Sequence, residues 1–523
     1  MSVNSIHSQI LIQFMEKRRT IKSALVSVYY KDHLEPIIKS LSELGVKMYS
    51  TGGTEKFIRE CGAEVTPVEE LTSYPSILGG RVKTLHPGVF GGILSRRDNP
   101  NDLEQLAQFN IPEIDLVIVD LYPFEETMAA GGSHEALIEK IDIGGISLIR
   151  AAAKNHNDVL IVSSKNQYTQ LEQLLKEEKG VSSLEQRRDF AAQAFQITSH
   201  YDSLIFNYFN TLATPQDTLN LNIAESQVLR YGENPHQKGV FYGRMEDLFT
   251  KLNGKDLSYN NLVDIDAAVR LIAEFTEPTF AVLKHTNVCG IASCGTLVEA
   301  WTAALAADPI SAFGGVLVCN REMDAETALL VHSLFFEVLI APSYSEEALQ
   351  ILKAKKNRIL LIQHEVILPV KQYKSILNGI VEQDMDLVIE GPELMRTVTT
   401  VQPTLDQLTD LAFALKLVKH TKSNAIILAK NKQLLASGVG QTSRIDALKQ
   451  AINKAAVFGF DIIGSVMASD AFFPFPDCVE VAAGAGIAAV VEPGGSVKDQ
   501  DSIDAANRLG IAMVLTGVRH FKH

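Results

Sequence analysis

From Ser23 onward the chain switches between short apolar runs and stretches whose apolar residues recur every three to four positions. The run SALVSVY starts at Ser23, a helical pattern spans Lys31 to Leu44, and the run VKMYS ends at Ser50. Thr51-Gly52-Gly53-Thr54 then opens a helix toward Cys61. Further on, DLVIVDLYPF reads as a buried strand ending at Tyr122-Pro123, and Ile141-Asp142-Ile143-Gly144-Gly145 opens the helix ISLIRAAAKNH. Alternation of this kind predicts an α/β fold with a doubly wound parallel sheet, whose right-handed crossovers leave a rim of ligand-binding loops at the carboxyl ends of the strands. From Asp158 to about Phe209 the pattern is a strand and then mostly helix, closing a first domain. Residues 1–20 are polar, patternless and expected to be an extension, and the Thr-, Pro-, Gln- and Asn-rich stretch Thr211 to Asn222 is expected to be a linker.

The second half begins with the polar, turn-rich segment LRYGENPHQ from Leu229 to Gln237, then the strand TFAVL ending in Lys284-His285, then the bend DPISAFGG from Asp308 to Gly315. After a less regular Lys-rich stretch near Lys353 to Arg358, a similar order returns. Asn424 to Leu428 is a strand, GVGQTSR turns into a helix, ASDAFFPFPD is an aromatic loop, and AAVVEP is a late strand. Setting AFGG, helix, VLIAP beside AFFPF, helix, IAAVVEP predicts an internal duplication into two α/β subdomains of roughly 120 to 150 residues each. The expected boundaries are 21–210, a linker at 211–222, then 223–395 and 396–523.

At 523 residues the chain exceeds one core, since single cores stop growing near about 250 to 300 residues. A net charge of −14 argues against nonspecific nucleic-acid binding, so any anion site must be built from local basic residues. The cysteines at 61, 289, 294, 319 and 478 make no paired framework, and no apolar run with a cleavage signal opens the sequence. Free thiols in a reducing cytosol, and thus a cytoplasmic protein, are the expectation. No segment has the about 18 to 20 apolar residues of a membrane span.

Gly79 to Gly92, GGRVKTLHPGVFGG, sets Arg81, Lys83 and His86 between glycine pairs, with Pro87 restricting the backbone. It reads as one constrained loop, either a solvated basic turn or an anion site. Thr51-Gly52-Gly53-Thr54 is likewise open between turn geometry and phosphate binding at a helix N-terminus. Arg150 and Lys154 share a helix face; Asp142 is open between capping and chemistry, and Tyr122 between packing and chemistry. Lys284-His285 stands at a strand end, where catalytic groups are often mounted.

Taken in order, GGRVKTLHPGV, DLYPF, IDIGGISLIRAAAKNH, LRYGENPHQ, LKHTNVCG, DPISAFGG, TKSNAI, GVGQTSR and SDAFFPFPD resemble the family of bifunctional purine-biosynthesis proteins that joins phosphoribosylaminoimidazolecarboxamide (AICAR) formyltransferase to IMP cyclohydrolase. The resemblance runs from about Ile21 to the C-terminus. It implies a methylglyoxal-synthase-like cyclohydrolase domain, two cytidine-deaminase-like transferase subdomains, and a homodimer with transferase sites at its interface. It implies 10-formyltetrahydrofolate as co-substrate, small-molecule substrates, no metal or nucleotide cofactor, and neither nucleic acid nor membrane as partner. In the first domain it implies that Lys83, Tyr122, Asp142 and Lys154 are catalytic, with Ser27, Lys31, Thr51, Gly52, Gly53, Thr54, Arg81, Thr84, Gly144 and Gly145 binding substrate. In the second half it implies Lys284, His285 and Asn424 as catalytic, and Arg230, Tyr231, Asn261, Gly315, Arg444, Phe473, Asp477 and Arg519 as substrate contacts.

The chain departs from the family pattern at three places. An SVSDK-like segment is here Ser27-Val28-Tyr29-Tyr30-Lys31, the proline of KHxxPCG is Val288, and a Trp-containing insertion of some relatives is absent, leaving Trp301 as the sole tryptophan. A compact member with full chemistry is expected. A zinc-deaminase reading of the second half requires H-x-E and C-x-x-C, neither of which occurs in that half. A noncatalytic sensor reading of the first domain is opposed by Lys83, Tyr122, Asp142 and Lys154 all being present.

Overall fold

The computed structural model describes residues 18–214 and 216–523, and the chain divides into two compact units, one through Ala224 and one from Glu225 onward. Most of the expected N-terminal extension lies outside the described residues. Its end does not behave as an extension, because Arg19–Thr20 pairs antiparallel with Val181–Ser182 and the Arg19 guanidinium holds the buried Asp158 carboxylate at 2.6 Å.

The first unit is built on a five-stranded, wholly parallel sheet. Its strands are β1 (Ser23–Ser27), β2 (Lys47–Ser50), β3 (Thr66–Pro67), β4 (Leu116–Val119) and β5 (Leu160–Val162), in spatial order β3-β2-β1-β4-β5. Ala24 to Val26, Leu116 to Ile118 and Leu160 to Val162 have no measurable exposure, as expected of a sheet covered by helices on both faces. The strand order reverses between β1 and β4, and a crevice opens there beyond the carboxyl ends of the strands. Two helices line it, α1 (Gly52–Glu60) and α3 (Gly144–Lys154), while α2 (Pro87–Leu94) follows the lining residues Thr84 and Leu85. A long α4 (Leu184–Leu212) closes the unit and takes in the first two residues expected in the linker.

The basic stretch at 79–92 is not a single loop. Pro87 occupies the first turn of α2, and the His86 imidazole accepts the Gly88 amide at 3.0 Å as its cap. A proline there gives up no helical hydrogen bond, so the GVFGG half continues as a helix rather than a turn.

The second unit holds one mixed sheet of twelve strands. They are β6 (Phe249–Asn253), β7 (Thr279–Lys284), β8 (Asn287–Ser293), β9 (Val316–Cys319), β10 (Val338–Ala341), β11 (Ile359–Gln363), β12 (Arg396–Thr397), β13 (Ile426–Lys430), β14 (Gln433–Gly438), β15 (Val466–Ser469), β16 (Ala489–Glu492) and β17 (Ala512–Leu515). The order is β6-β11-β10-β9-β7-β8-β14-β13-β15-β16-β17-β12. Read outward from the β8–β14 seam, both halves give a hairpin, three strands joined in parallel to one another, and an antiparallel edge. Gly290 on β8 and Gly438 on β14 each lie under a helix. A Cβ on either would lie 2.0 and 1.8 Å from the carbonyl oxygens of Ala304 and Ala447, so each half seats a helix directly on backbone.

The motif correspondence expected from sequence is out of step with this order. AFGG stands before β9, whereas AFFPF stands after β15, the strand matching β9; only VLIAP and AVVEP, on β10 and β16, coincide. Both aromatic segments flank a short buried strand, and a sequence pattern does not tell which side of it they occupy.

All five cysteines are free, three of them buried in the second unit. Among the described residues, no helix is long and apolar enough to cross a membrane.

Candidate active sites

In the first unit a cavity of about 770 Å³ opens at the β1–β4 reversal. Its wall holds Ser27, Lys31, Thr51, Gly53, Thr54, Arg81, Lys83, Thr84, Tyr122, Asp142, Gly144 and Gly145, brought together from segments far apart in the chain. Gly52 adjoins it: the Lys83 ammonium lies 3.8 Å from where a Gly52 Cβ would stand, at the N-terminus of α1. Helix dipole and ammonium thus place positive potential at one end of the cavity.

The loop after β1 is held by Asp120, which the sequence did not single out, and by Thr54 and Lys31, which it marked for substrate. Asp120, just beyond β4, accepts the backbone amides of Tyr29 and Tyr30, the latter at 3.0 Å. Burial raises its carboxyl above the ordinary range, and those amides hold the rise back. The Thr54 hydroxyl donates to the Val28 carbonyl at 2.9 Å and accepts the Val28 amide at 3.1 Å, so it is spent on tying α1 to this loop. The Lys31 ammonium donates to the carbonyls of Val28 and Tyr29 at 2.5 and 2.9 Å. The two tyrosines of the altered motif diverge. Tyr29 enters the cavity wall, edge-on to Tyr122 with ring centres 5.9 Å apart and the Lys140 ammonium 5.1 Å from its ring, whereas Tyr30 bonds Glu126 at 2.6 Å.

Asp142 stands just before α3 and is buried. One carboxylate oxygen accepts the Gly145 amide at 2.7 Å, so it does cap the helix, and its other oxygen is directed to where a Gly145 Cβ would be, at 2.5 Å. The Tyr201 hydroxyl, from α4, accepts the Asp142 amide at 2.9 Å and donates to the Lys140 carbonyl, fixing both ends of this short segment. Burial pushes the Asp142 carboxyl up, partly offset by the Gly145 and Tyr122 amides. Burial and then the Asp142 charge push the Tyr122 phenol up as well. A carboxylate poised above its usual range beside an exposed phenol is a proton-transfer arrangement.

Gly145→Ala must move Asp142, because a methyl cannot sit 2.5 Å from a carboxylate oxygen. The variant is expected to lose about 10-fold or more of the first unit's turnover while any activity of the second unit is unchanged, as read by parallel steady-state assays.

Two candidates lie off the cavity's centre. Arg81, on the rim, pairs with the equally exposed Glu139. Lys154 is exposed at the last position of α3, roughly 15 Å along the axis from Gly144 at 1.5 Å per residue, and is not in the cavity wall.

In the second unit, β7 and β8 turn through His285 and Thr286, both with left-handed φ, 52° and 63°. His285 is exposed, and the Lys284 ammonium donates to the Phe313 carbonyl of the DPISAFGG loop at 2.9 Å. Gly315 closes that loop with its amide on the Ala312 carbonyl. Asn287 joins the two halves of the sheet: its side chain donates to the His285 carbonyl at 2.7 Å and accepts the Lys422 amide at 3.0 Å. The KHTN and TKSN motifs therefore meet on one rim.

Asn424 is fixed in turn. Its amide nitrogen donates to the Gln441 and Thr442 carbonyls, and its oxygen accepts the Arg444 guanidinium at 2.7 Å. Arg444, buried, also holds Asp470 at 2.9 Å and the Phe472 carbonyl at 3.0 Å. Buried Phe473 donates its amide to Glu492 at 2.6 Å, and burial pushes that carboxyl up to about 8. Asp477 begins the helix after the aromatic loop. Asn261 spends its oxygen on Ser258 in a capping box, the Arg230 guanidinium stacks 4.8 Å from the Tyr231 ring, and that of Arg519 4.4 Å from Phe521. Asp120, Tyr201, Asn287, Asp470 and Glu492 were not singled out from sequence, because each holds a residue distant in the chain, although Asp120, Asn287 and Asp470 lie inside the motifs DLYPF, LKHTNVCG and SDAFFPFPD. Among the described residues no group of three His, Cys, Asp or Glu side chains is placed to hold a metal ion.

Comparison with known proteins covers both units. Residues 33–147 match the model of the MGS-like domain, and residues 152–454, more than half of the chain, match that of the AICARFT/IMPCHase bienzyme. A bifunctional purine biosynthesis protein PurH from Bacteroides thetaiotaomicron is 59% identical over 509 residues, covering 97% of this chain and the whole of that protein. Proteins of the same name from Aquifex aeolicus and Bacillus subtilis are 48% and 44% identical over 96% of this chain and their entire lengths. With the cavity on a parallel sheet, the His285 turn on a second sheet, and relatives matched from end to end, the chain belongs to the AICARFT/IMPCHase bienzyme family.

Proposed function

We infer that this chain is the bifunctional enzyme of the last two steps of IMP biosynthesis: formyl transfer to the 5-amino group of AICAR, then dehydrative ring closure of the product, FAICAR, to IMP. The observation that carries the reading is the end-to-end match to bifunctional relatives, spanning both units. The assignment of steps to units, the site residues, the subdomain boundary near 395, the dimer and a cytoplasmic location are proposals that build on it.

Ring closure belongs to the first unit. The carboxamide nitrogen attacks the formyl carbon, a proton leaves that nitrogen, and water departs from the carbinol. Asp142, lifted by burial and held by the Gly145 amide, is the base toward the amide nitrogen. Lys83 stabilises the oxyanion that forms on the formyl oxygen, Tyr122 lies within the same wall to relay a proton, and the N-terminus of α1 takes the ribotide phosphate. Lys154, exposed at the end of α3, stands outside this wall.

Formyl transfer belongs to the second unit, with 10-formyltetrahydrofolate as donor. The AICAR amine is a weak nucleophile because its lone pair is delocalised into the ring and carboxamide, so a base must take its proton as it attacks. His285 is that base, its imidazole exposed on the turn. Lys284, resting on the Phe313 carbonyl, stabilises the tetrahedral oxyanion, and Asn424, aligned by Arg444, orients the formyl group.

A paired assay of the purified full-length chain tests the reading. Folate-dependent consumption of AICAR, and IMP formation from FAICAR without folate, are both expected; failure of either would refute bifunctionality.

A further inference from the structure

We propose that Asp264 is a positioning residue for formyl transfer, its carboxylate setting the left-handed turn that presents His285. The inference rests on the reading that His285 carries this reaction. Asp264 is half-buried on helix α5 (Tyr259–Ile272), and one of its oxygens accepts the Thr286 amide at 2.6 Å, at the second of the turn's two central residues. A two-residue hairpin with both central residues at positive φ ordinarily takes Asn-Gly, because side chains, β-branched ones above all, are disfavoured there. Here the positions hold His and Thr. A charge-assisted hydrogen bond into the turn offsets that strain and helps define the direction in which the imidazole leaves the backbone.

The other half of the sheet repeats the device without the imidazole. β13 and β14 turn through Asn431 and Lys432, each at φ 54°, and Asp410 on helix α6 (Leu405–Lys419) accepts their amides at 2.8 and 2.7 Å. Asp264 and Asp410 are each the sixth residue of their helices. Lys432 turns away to Glu277 at 2.8 Å. The capped hairpin is thus common architecture, and only the first copy carries a group suited to proton transfer. Asp410 is a control inside the same molecule, equal in structural role and without a chemical one.

The test compares Asp264→Ala, Asp264→Asn, Asp410→Ala and Asp410→Asn in the full-length chain, with thermal stability, transferase kcat and KM, and ring-closure rate measured for each. The asparagine variants keep one acceptor and serve where an alanine variant does not fold. All four are expected to lower Tm to a similar extent and to leave ring closure within about twofold. Asp264→Ala is expected to lower transferase kcat per folded chain by about 10- to 10²-fold with KM values within about twofold, and Asp264→Asn to recover part of it, whereas the Asp410 variants keep kcat near wild type. Wild-type kcat in both Asp264 variants, or an equal kcat loss in the Asp410 variants, would overturn the proposal. An unsubstituted chain with no formyl transfer would instead overturn the functional reading beneath it.

Discussion

Lys83→Ala in the full-length chain is expected to lower IMP formation from FAICAR by about 10²-fold or more and to leave formyl transfer to AICAR within about twofold. Lys83 sits beside the Gly52 end of α1, in the wall of the first unit's cavity, so its ammonium and the helix N-terminus supply the positive potential there. The other wall cations are engaged elsewhere: Lys31 with two backbone carbonyls, Arg81 with Glu139 and Lys140 with the face of Tyr29. Each would have to leave its present partner to take over when Lys83 is removed, which is why the loss is expected in kcat rather than only in KM. The second unit has its own sheet and core, so its reaction does not depend on this residue. Comparable loss of both activities in a folded variant would show that the reactions share a site.

His285→Ala is expected to produce the reciprocal pattern, a fall of about 10²-fold or more in transferase kcat, or about 2.7 kcal/mol of transition-state stabilisation, with ring closure near wild type. His285 is exposed at the tip of the β7–β8 hairpin, so truncation opens no cavity and Tm should hardly change. A histidine serving only the turn would give the opposite outcome, a shifted Tm and a kcat per folded chain within a few-fold of wild type. Saturating AICAR and formyl donor separate the two, since the first lowers the plateau rate and the second does not.

The parallel sheet of the first unit was legible because strands buried on both faces read as continuous apolar runs and glycine-opened helices follow them. The second unit's repetition was legible too, but only in outline. AFGG and AFFPF look equivalent as strings although they flank matched strands on opposite sides, and the order became plain only from strand pairing. Helix α2 was hidden by its own glycines, which read as a loop until His86 and Pro87 are seen to cap it. The exposed hairpin Lys371–Ile376 with Gly379–Asp384 carried no signal, because with neither face buried it has no apolar alternation to read.

At the sites, sequence motifs located the groups suited to chemistry and missed those that hold them. Asp142 was marked by its glycine neighbours, but Tyr201, 59 residues away on a helix, bonds its amide with nothing local to advertise it. Asp120 was read as part of a buried strand, yet its carboxylate carries the loop that sets Tyr29 against Tyr122. Thr54, read as a phosphate ligand, spends its hydroxyl on Val28. Side-chain bonds that span tens of residues depend on the finished fold, and residue type alone does not encode them.

Two separate sites on one chain, joined by a released intermediate, can be tested by complementation. Asp142→Asn and His285→Ala chains are assayed singly and as an equimolar mixture, supplied with AICAR and 10-formyltetrahydrofolate and followed for IMP. The account predicts that neither chain alone forms IMP at more than about one per cent of the wild-type rate, and that the mixture forms it after a lag while FAICAR made by the Asp142→Asn chain accumulates and is closed by the His285→Ala chain. A mixture as inactive as its components, with both chains folded, would contradict it.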